Sequence, residues 1–179
     1  MDEIKWKKIS TEHIVQNKWI DFRGEKYIFP NGVESGYFYT FTKQNYVVIV
    51  AKNTEGKYIC VRQYRPGIDC VTCEFPAGGM EAGENPLDCA KRELYEETGH
   101  VSDDWKILIT MPANATVCDN YFTVLIADNC RLTGKQNLDD TEFLNVEFIE
   151  EEKLEQMIFD NEFQQSNHVM AYYMAKYKQ

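Results

Sequence analysis

No stretch of this 179-residue chain approaches the ~18 consecutive apolar residues that a membrane-spanning helix needs. The opening segment MDEIKWKKIS is charged and lacks the apolar core of a secretory signal. Positive charge is also short: 19 Lys and Arg stand against 29 Asp and Glu, a formal net charge of −10. Nucleic acids and anionic membranes are polyanions, so an acidic chain matches neither. No internal repeat or low-complexity segment is visible. Cys70 and Cys73 form a lone C-x-x-C with no second pair at zinc-ribbon spacing, which argues against a structural zinc site. Without a secretory route, Cys60, Cys70, Cys73, Cys89, Cys118 and Cys130 are expected as free thiols, and the cytoplasm as the compartment. The three histidines, His13, His100 and His168, are expected to be ordinary surface or core residues.

What the chain does have is apolar and aromatic mass. Hydrophobic residues make up 44% and aromatic residues 13%, enough for one cored domain and too much for a disordered chain. Residues 1–43 read as an aromatic appendage, with strand, turn and strand at Tyr27–Phe29, Pro30–Gly32 and Tyr37–Phe41. Residues 44–179 form the main domain. Tyr46–Ala51 is a continuous apolar run, which suits a central strand covered on both faces. A turn at Asn53–Gly56 leads to a partner strand at Lys57–Gln63, and further strands are expected at 71–75, 105–111, 121–127 and 145–149. Helices are expected at 86–98, 150–159 and 163–177. The first has Asn85 as its N-cap, Pro86 in its first turn and Gly99 at its end. Interleaved strands and few helices indicate an α/β fold with a mixed sheet.

The first helix carries Glu93, Glu96 and Glu97 at i, i+3 and i+4, an arc of about 100° beside its apolar stripe. Alone, such a cluster reads as a solvated acidic face. Three like charges so close repel, however, and a divalent cation would turn the repulsion into attraction. All-oxygen ligation favours hard ions such as Mg²⁺ or Mn²⁺. The helix is also preceded by Pro76-Ala77-Gly78-Gly79, read as a tight glycine loop whose backbone can approach an ion or phosphate closely.

Gly78, five residues, Glu84, seven residues, Arg92-Glu93-Leu94, one residue, Glu96-Glu97, one residue and Gly99 together resemble the Nudix box, G-x5-E-x7-R-E-U-x-E-E-x-G-U. Only the final apolar position differs, where this chain has His100. Cys60-Val61-Arg62-Gln63-Tyr64-Arg65 and Glu74-Phe75-Pro76-Ala77-Gly78 are similar to segments of the ADP-ribose pyrophosphatase branch, as is the acidic stretch Asp139–Glu147. The resemblance implies a Nudix α/β/α sandwich with a mixed β-sheet and a small N-terminal β subdomain. It implies metal-dependent hydrolysis of the diphosphate in a nucleoside diphosphate-sugar, with ADP-ribose giving AMP and ribose 5-phosphate as the leading case. By the same resemblance, Glu93, Glu96, Glu97 and the Ala77 carbonyl hold the metal, while Gly78, Glu84 and Arg92 support the loop and helix. Glu142, with Asp140 second, answers to the family's loop carboxylate that acts as base, and Glu96 shares in the chemistry.

Arg62, Gln63 and Arg65 are assigned to the substrate, since guanidinium forks match phosphate oxygens. Asn114 joins them from the segment Met111–Thr116, where the branch has a Ser-Pro-Gly-like stretch and this chain holds Asn114 at the proline position. GDP-mannose or another nucleotide sugar therefore stays open as substrate. So do nucleoside triphosphates, dinucleoside polyphosphates and coenzyme A, and a non-catalytic nucleotide-sugar sensor stands as the rival of another class. Trp19, Phe22, Tyr27, Tyr37 and Tyr39 are candidates for stacking on a base, or for core or interface. The resemblance also implies a homodimer built through the N-terminal segment.

Overall fold

A computed structural model describes residues 2–178. The chain forms two compact units. One comprises the residues up to Asn45 together with 112–121, the other 46–111 together with 122–179.

The smaller unit is a three-stranded antiparallel sheet of β1 (Lys7–Gln16), β2 (Asp21–Ile28) and β3 (Phe38–Thr42), in that order. Gly32, at φ 82°, serves the turn between β2 and β3. Strand β1 was not expected, because Lys7–Gln16 mixes charged and apolar residues without clean alternation. Trp6 packs edge-on against Tyr27, Phe29 and Phe38, with ring centroids 5.8, 4.7 and 5.0 Å away. Phe22 stacks on Tyr39, and Tyr39 on Tyr37. Trp19 is exposed, with the Lys18 ammonium over its ring at 4.4 Å. Every residue of β1 is exposed.

The larger unit is built on a mixed sheet with central order β11-β5-β4-β10-β8. Its strands are β4 (Tyr46–Asn53), β5 (Tyr58–Arg65), β6 (Cys70–Glu74), β7 (Ala77–Gly79), β8 (His100–Val101), β9 (Asp104–Pro112), β10 (Tyr121–Leu132) and β11 (Leu144–Ile149). Strand β4 runs parallel to β10 and antiparallel to β5 and β7. Its Val47–Ala51 core is buried on both faces. Helix α1 (Pro86–Thr98) covers one face, where Cys89, Ala90 and Leu94 pack on Val47, Ile49, Ala51, Ile59 and Leu125. Helices α2 (Glu151–Phe159) and α3 (Ser166–Tyr177) bury Leu154, Met157, Ala171 and Tyr172, with Tyr172 edge-on to Tyr58. In the Cys70–Glu74 strand, Cys70 and Cys73 stand three apart and so face opposite ways, and none of the six cysteines forms a disulfide.

Three local expectations need correction. The glycine loop is a short strand, β7, pairing with β4 in the register Val48↔Ala77. Helix α3 begins at Ser166, not 163, because Phe163 is drawn into the core against Phe75 at 5.1 Å. Strand β10 continues to Leu132 past a register shift between Ala127 and Cys130, where Asn129 adopts φ 54°.

Helix α1 is defined by its caps. The Asn85 side chain accepts the Leu87 and Asp88 N–H groups, and Gly99, at φ 71°, gives its N–H to Tyr95. A Cβ on Gly99 would also lie 2.5 Å from the Gly134 carbonyl oxygen. Gly99→Ala is therefore expected to lower stability by roughly 1–3 kcal/mol, read from urea unfolding midpoints.

Candidate active site

The site grows from the inner edge of α1. Glu93 and Glu97 lie on successive turns, 8% and 3% exposed, beside the apolar stripe that holds the helix to the sheet. The Glu97 carboxylate accepts the Ala77 N–H at 3.1 Å, which fixes β7 against the helix. Glu93 lies so close to β7 that a Cβ on Gly78 would overlap its carboxyl group and force that group to move.

Burial drives the Glu97 carboxyl well above the usual range, and the Glu93 charge pushes it further, against the opposing pull of the Ala77 N–H and Arg65. Burial also raises Glu93, against the Arg92 guanidinium, with the charges of Glu96 and Glu142 adding to the rise. One backbone N–H does not neutralise a carboxylate buried beside another.

Arg92 ties this edge together. Its Nε and Nη2 give two parallel bonds of 3.0 Å to the Glu84 carboxylate, which Arg92 holds at about 2. Nη2 also reaches the Gly79 carbonyl at 2.9 Å, and Nη1 bridges Glu93 at 2.7 Å and Glu96 at 3.1 Å. Arg92 thus spans those two carboxylates, and no group of three His, Cys, Asp or Glu side chains among the described residues is gathered to ligate one ion. The donors nonetheless fit a hard divalent cation in kind: they are carboxylate oxygens, two of them buried with like charge beside them.

The charge of Glu142 adds to the rise of both Glu93 and Glu97. The loop that carries it is tethered to the last turn of α1. Gln136 Nε2 donates to the Glu97 carbonyl at 2.7 Å, and the Asn137 N–H to the Glu96 carbonyl at 2.8 Å. Its own turn is closed by the Glu142 N–H to Asp139 O at 2.9 Å and the Asp139 N–H to the Glu142 carboxylate at 3.1 Å. Asp140 is exposed in the same loop. Gln136 and Asn137 went unnoticed in the sequence, because bonds to helix carbonyls need no distinctive residue type.

Arg62, Gln63 and Arg65 stand at the far end of β5. Gln63 lies opposite Thr72 on β6 and Leu144 on β11. Arg62 Nε donates to Glu147 at 2.7 Å. Arg65 forks onto the fully buried Glu74 through Nε at 2.8 Å and Nη2 at 2.5 Å. Those bonds use two of its five N–H donors. The charges of Arg65 and Glu97 act weakly on each other. Asn114 belongs to the smaller unit, where its carbonyl accepts the Val117 and Cys118 N–H groups and its side chain the Thr116 N–H. His100, at the box's one departure, is buried against Phe148, with Nδ1 2.9 Å from the Thr98 carbonyl.

The chain belongs to the Nudix family: residues 42–172 match its domain. It is a Nudix hydrolase of the ADP-ribose and nucleotide-sugar pyrophosphatase branch. It is 33% identical over 147 residues to the ADP-ribose pyrophosphatase of Bacillus subtilis (strain 168), covering 82% of this chain and 79% of that one. It is 30% identical over 143 residues to the methanol dehydrogenase activator of Bacillus methanolicus, covering 78% and 76%. The ADP-sugar pyrophosphatase of Mus musculus is 36% identical over 107 residues, 51% of this chain and 46% of that one. A crystal structure of an ADP compounds hydrolase superposes with a TM-score of 0.85 over 96% of this chain and 92% of that one; at 20% identity this speaks for the fold. No helix among the described residues is long and apolar enough to cross a membrane.

Metal-free protein should carry a stability penalty from Glu97. Glu97→Gln keeps an acceptor for the Ala77 N–H and removes the buried charge. We expect it to stabilise the metal-free protein by about 1 kcal/mol near pH 8, measured by urea unfolding in EDTA. Because folding raises this carboxyl, the charged form is penalised above its folded value, and the penalty vanishes as pH falls and the group protonates. The gain should therefore shrink toward acid.

Proposed function

We propose that this protein hydrolyses the diphosphate of a nucleoside diphosphate-sugar, with ADP-ribose yielding AMP and ribose 5-phosphate as the leading substrate. The observation that carries the reading is the buried pair Glu93 and Glu97, with the loop carboxylate Glu142 near enough to perturb both. The similarity over 82% of this chain to a protein named ADP-ribose pyrophosphatase supports the choice of substrate.

In this reading Glu93, Glu96, Glu97 and the Ala77 carbonyl hold Mg²⁺ or Mn²⁺. A divalent ion supplies positive charge against the diphosphate oxygens and acidifies water. Arg92 would give up its bridge between Glu93 and Glu96 and keep its fork on Glu84. Glu142 takes the proton of the attacking water, with Asp140 on the same loop as the second choice. The water oxygen joins one phosphorus, the bridging P–O bond breaks, and the leaving phosphate carries away the electron pair. Arg65, with donors beyond those given to Glu74, and Gln63 and Arg62 beside it, orient the phosphates and ribose.

A homodimer through the N-terminal sheet completes the proposal. Strand β1 is exposed along its whole length, and Ile9, Ile14 and Val15 on it are 40–47% exposed. An open edge strand with apolar side chains favours pairing with a second copy. Light scattering is expected to return twice the 20.9 kDa chain mass, and a monomeric mass removes the dimer.

A panel of ADP-ribose, GDP-mannose, other nucleotide sugars, nucleoside triphosphates, dinucleoside polyphosphates and coenzyme A, assayed with Mg²⁺, tests the substrate. ADP-ribose should turn over fastest. Glu97→Gln should lower kcat by about 10³-fold or more, and Glu142→Gln by about 10²–10⁴-fold, with Asp140→Asn affected less. Binding without turnover on every member would instead indicate a sensor.

A further inference from the structure

The segment Glu74–Ala77, between β6 and β7, is held from four sides. Glu74 is fully buried and takes the Arg65 fork, the Thr72 hydroxyl and Gln165 Nε2 at 3.3 Å. The Phe75 N–H donates to His168 Nδ1 at 3.1 Å. The Pro76 carbonyl accepts the Ile49 N–H at 2.9 Å, and the Ala77 N–H reaches Glu97 at 3.1 Å. Four of these anchors, Arg65, Thr72, Ile49 and Glu97, lie in the sheet or in α1. His168 and Gln165 come instead from the first turn of α3 and the residue before it, more than 90 positions away in sequence.

From this arrangement we infer that His168 is a positioning residue for the diphosphate chemistry: by accepting the Phe75 N–H it fixes the strap that presents Ala77 to Glu97. The inference rests on the hydrolase reading of the site and adds to it a residue outside the Nudix box.

The chemistry of His168 is specific. A ring nitrogen that accepts a backbone N–H carries no proton, so the proton of the neutral ring sits on Nε2. Nε2 lies 3.9 Å from Glu74 Oε2, and the negative carboxylate favours the tautomer that points N–H toward it. Burial holds the imidazole down at about 4, against the pull of Glu74, so the ring is neutral throughout the working range. The ring is also clamped by apolar contact, parallel to Phe75 at 6.4 Å and edge-on to Phe163 at 6.5 Å. Replacing Nδ1 would leave the buried Phe75 N–H unpaired at the strap's second residue.

Two amide substitutions separate this role from packing. His168→Asn places its oxygen near the site of Nδ1 and keeps an acceptor for Phe75. His168→Gln places its oxygen near the site of Nε2 and loses that acceptor. Both keep a buried polar group of similar size. We expect His168→Asn to hold kcat within about threefold of wild type. We expect His168→Gln to lower kcat by about 10–100-fold with KM changed less than about threefold, as for groups that orient metal-site ligands. In metal-free protein, amide exchange at Phe75 and Ala77 should speed up in His168→Gln and not in His168→Asn. Equal kcat in the two variants overturns the inference, whether both are active or both are impaired. So does unchanged exchange at Ala77 in His168→Gln. A wild-type protein that hydrolyses no diphosphate fails the hydrolase reading itself, and the exchange measurement still reports on the strap.

Discussion

A carboxylate buried beside a second carboxylate has to be balanced by something, and in this protein Glu97 beside Glu93 sets that requirement. Taking a charge out of water costs several kcal/mol unless it is paired. The pair is kept in place because α1 also carries Cys89, Ala90 and Leu94, whose packing on β4, β5 and β10 fixes the helix regardless of its charges. Gly78 and the Arg92 Nη1 group meet Glu93, and the Ala77 N–H meets Glu97. Hydrophobic burial thus supports a charge arrangement that is unfavourable in isolation and that a cation would relieve.

The surroundings differ in what they contribute. The Arg92–Glu84 fork is partly exposed, so its energy is modest and its value is geometric. The Arg65–Glu74 fork ends on a fully buried carboxylate, which takes further bonds from Thr72 and Gln165. A buried charge with its partners in place is rigid, and losing one partner is expensive. Ala77, three residues on, gives its own N–H to Glu97. The Glu142 loop is of another kind: two bonds to the last turn of α1 anchor its root, while Asp140 and Phe143 stay exposed. A loop tied at its base and open at its tip can bring a carboxylate to the site and release it.

Much of this was readable in the sequence because the relevant signals are local. Asn85, Pro86 and Gly99 mark α1 through capping chemistry, and its observed range is Pro86–Thr98. The run Tyr46–Ala51 announced a strand covered on both faces. The glutamate spacing placed Glu93 and Glu97 on one helix face by 3.6-residue periodicity alone. Where local signals were mixed, the reading failed. β1 lacks alternation, Phe163 looks like the start of a helix until a core position claims it, and Ala77–Gly79 becomes a strand only because β4 is there to pair with it.

What the sequence determined by itself was the chemistry available: a set of carboxylates at helical spacing after a glycine-bearing segment, in a motif that named the family. The tertiary structure alone decided which groups meet. It buried Glu74 under Arg65, brought His168 to the Phe75 N–H across 93 residues of chain, and tied the root of the Glu142 loop to the last turn of α1. The reason is physical. Capping, turns and periodicity act over a few residues and leave a pattern in the chain. A hydrogen bond or a charge contact between distant segments is set by how the layers pack, and no spacing along the chain records it.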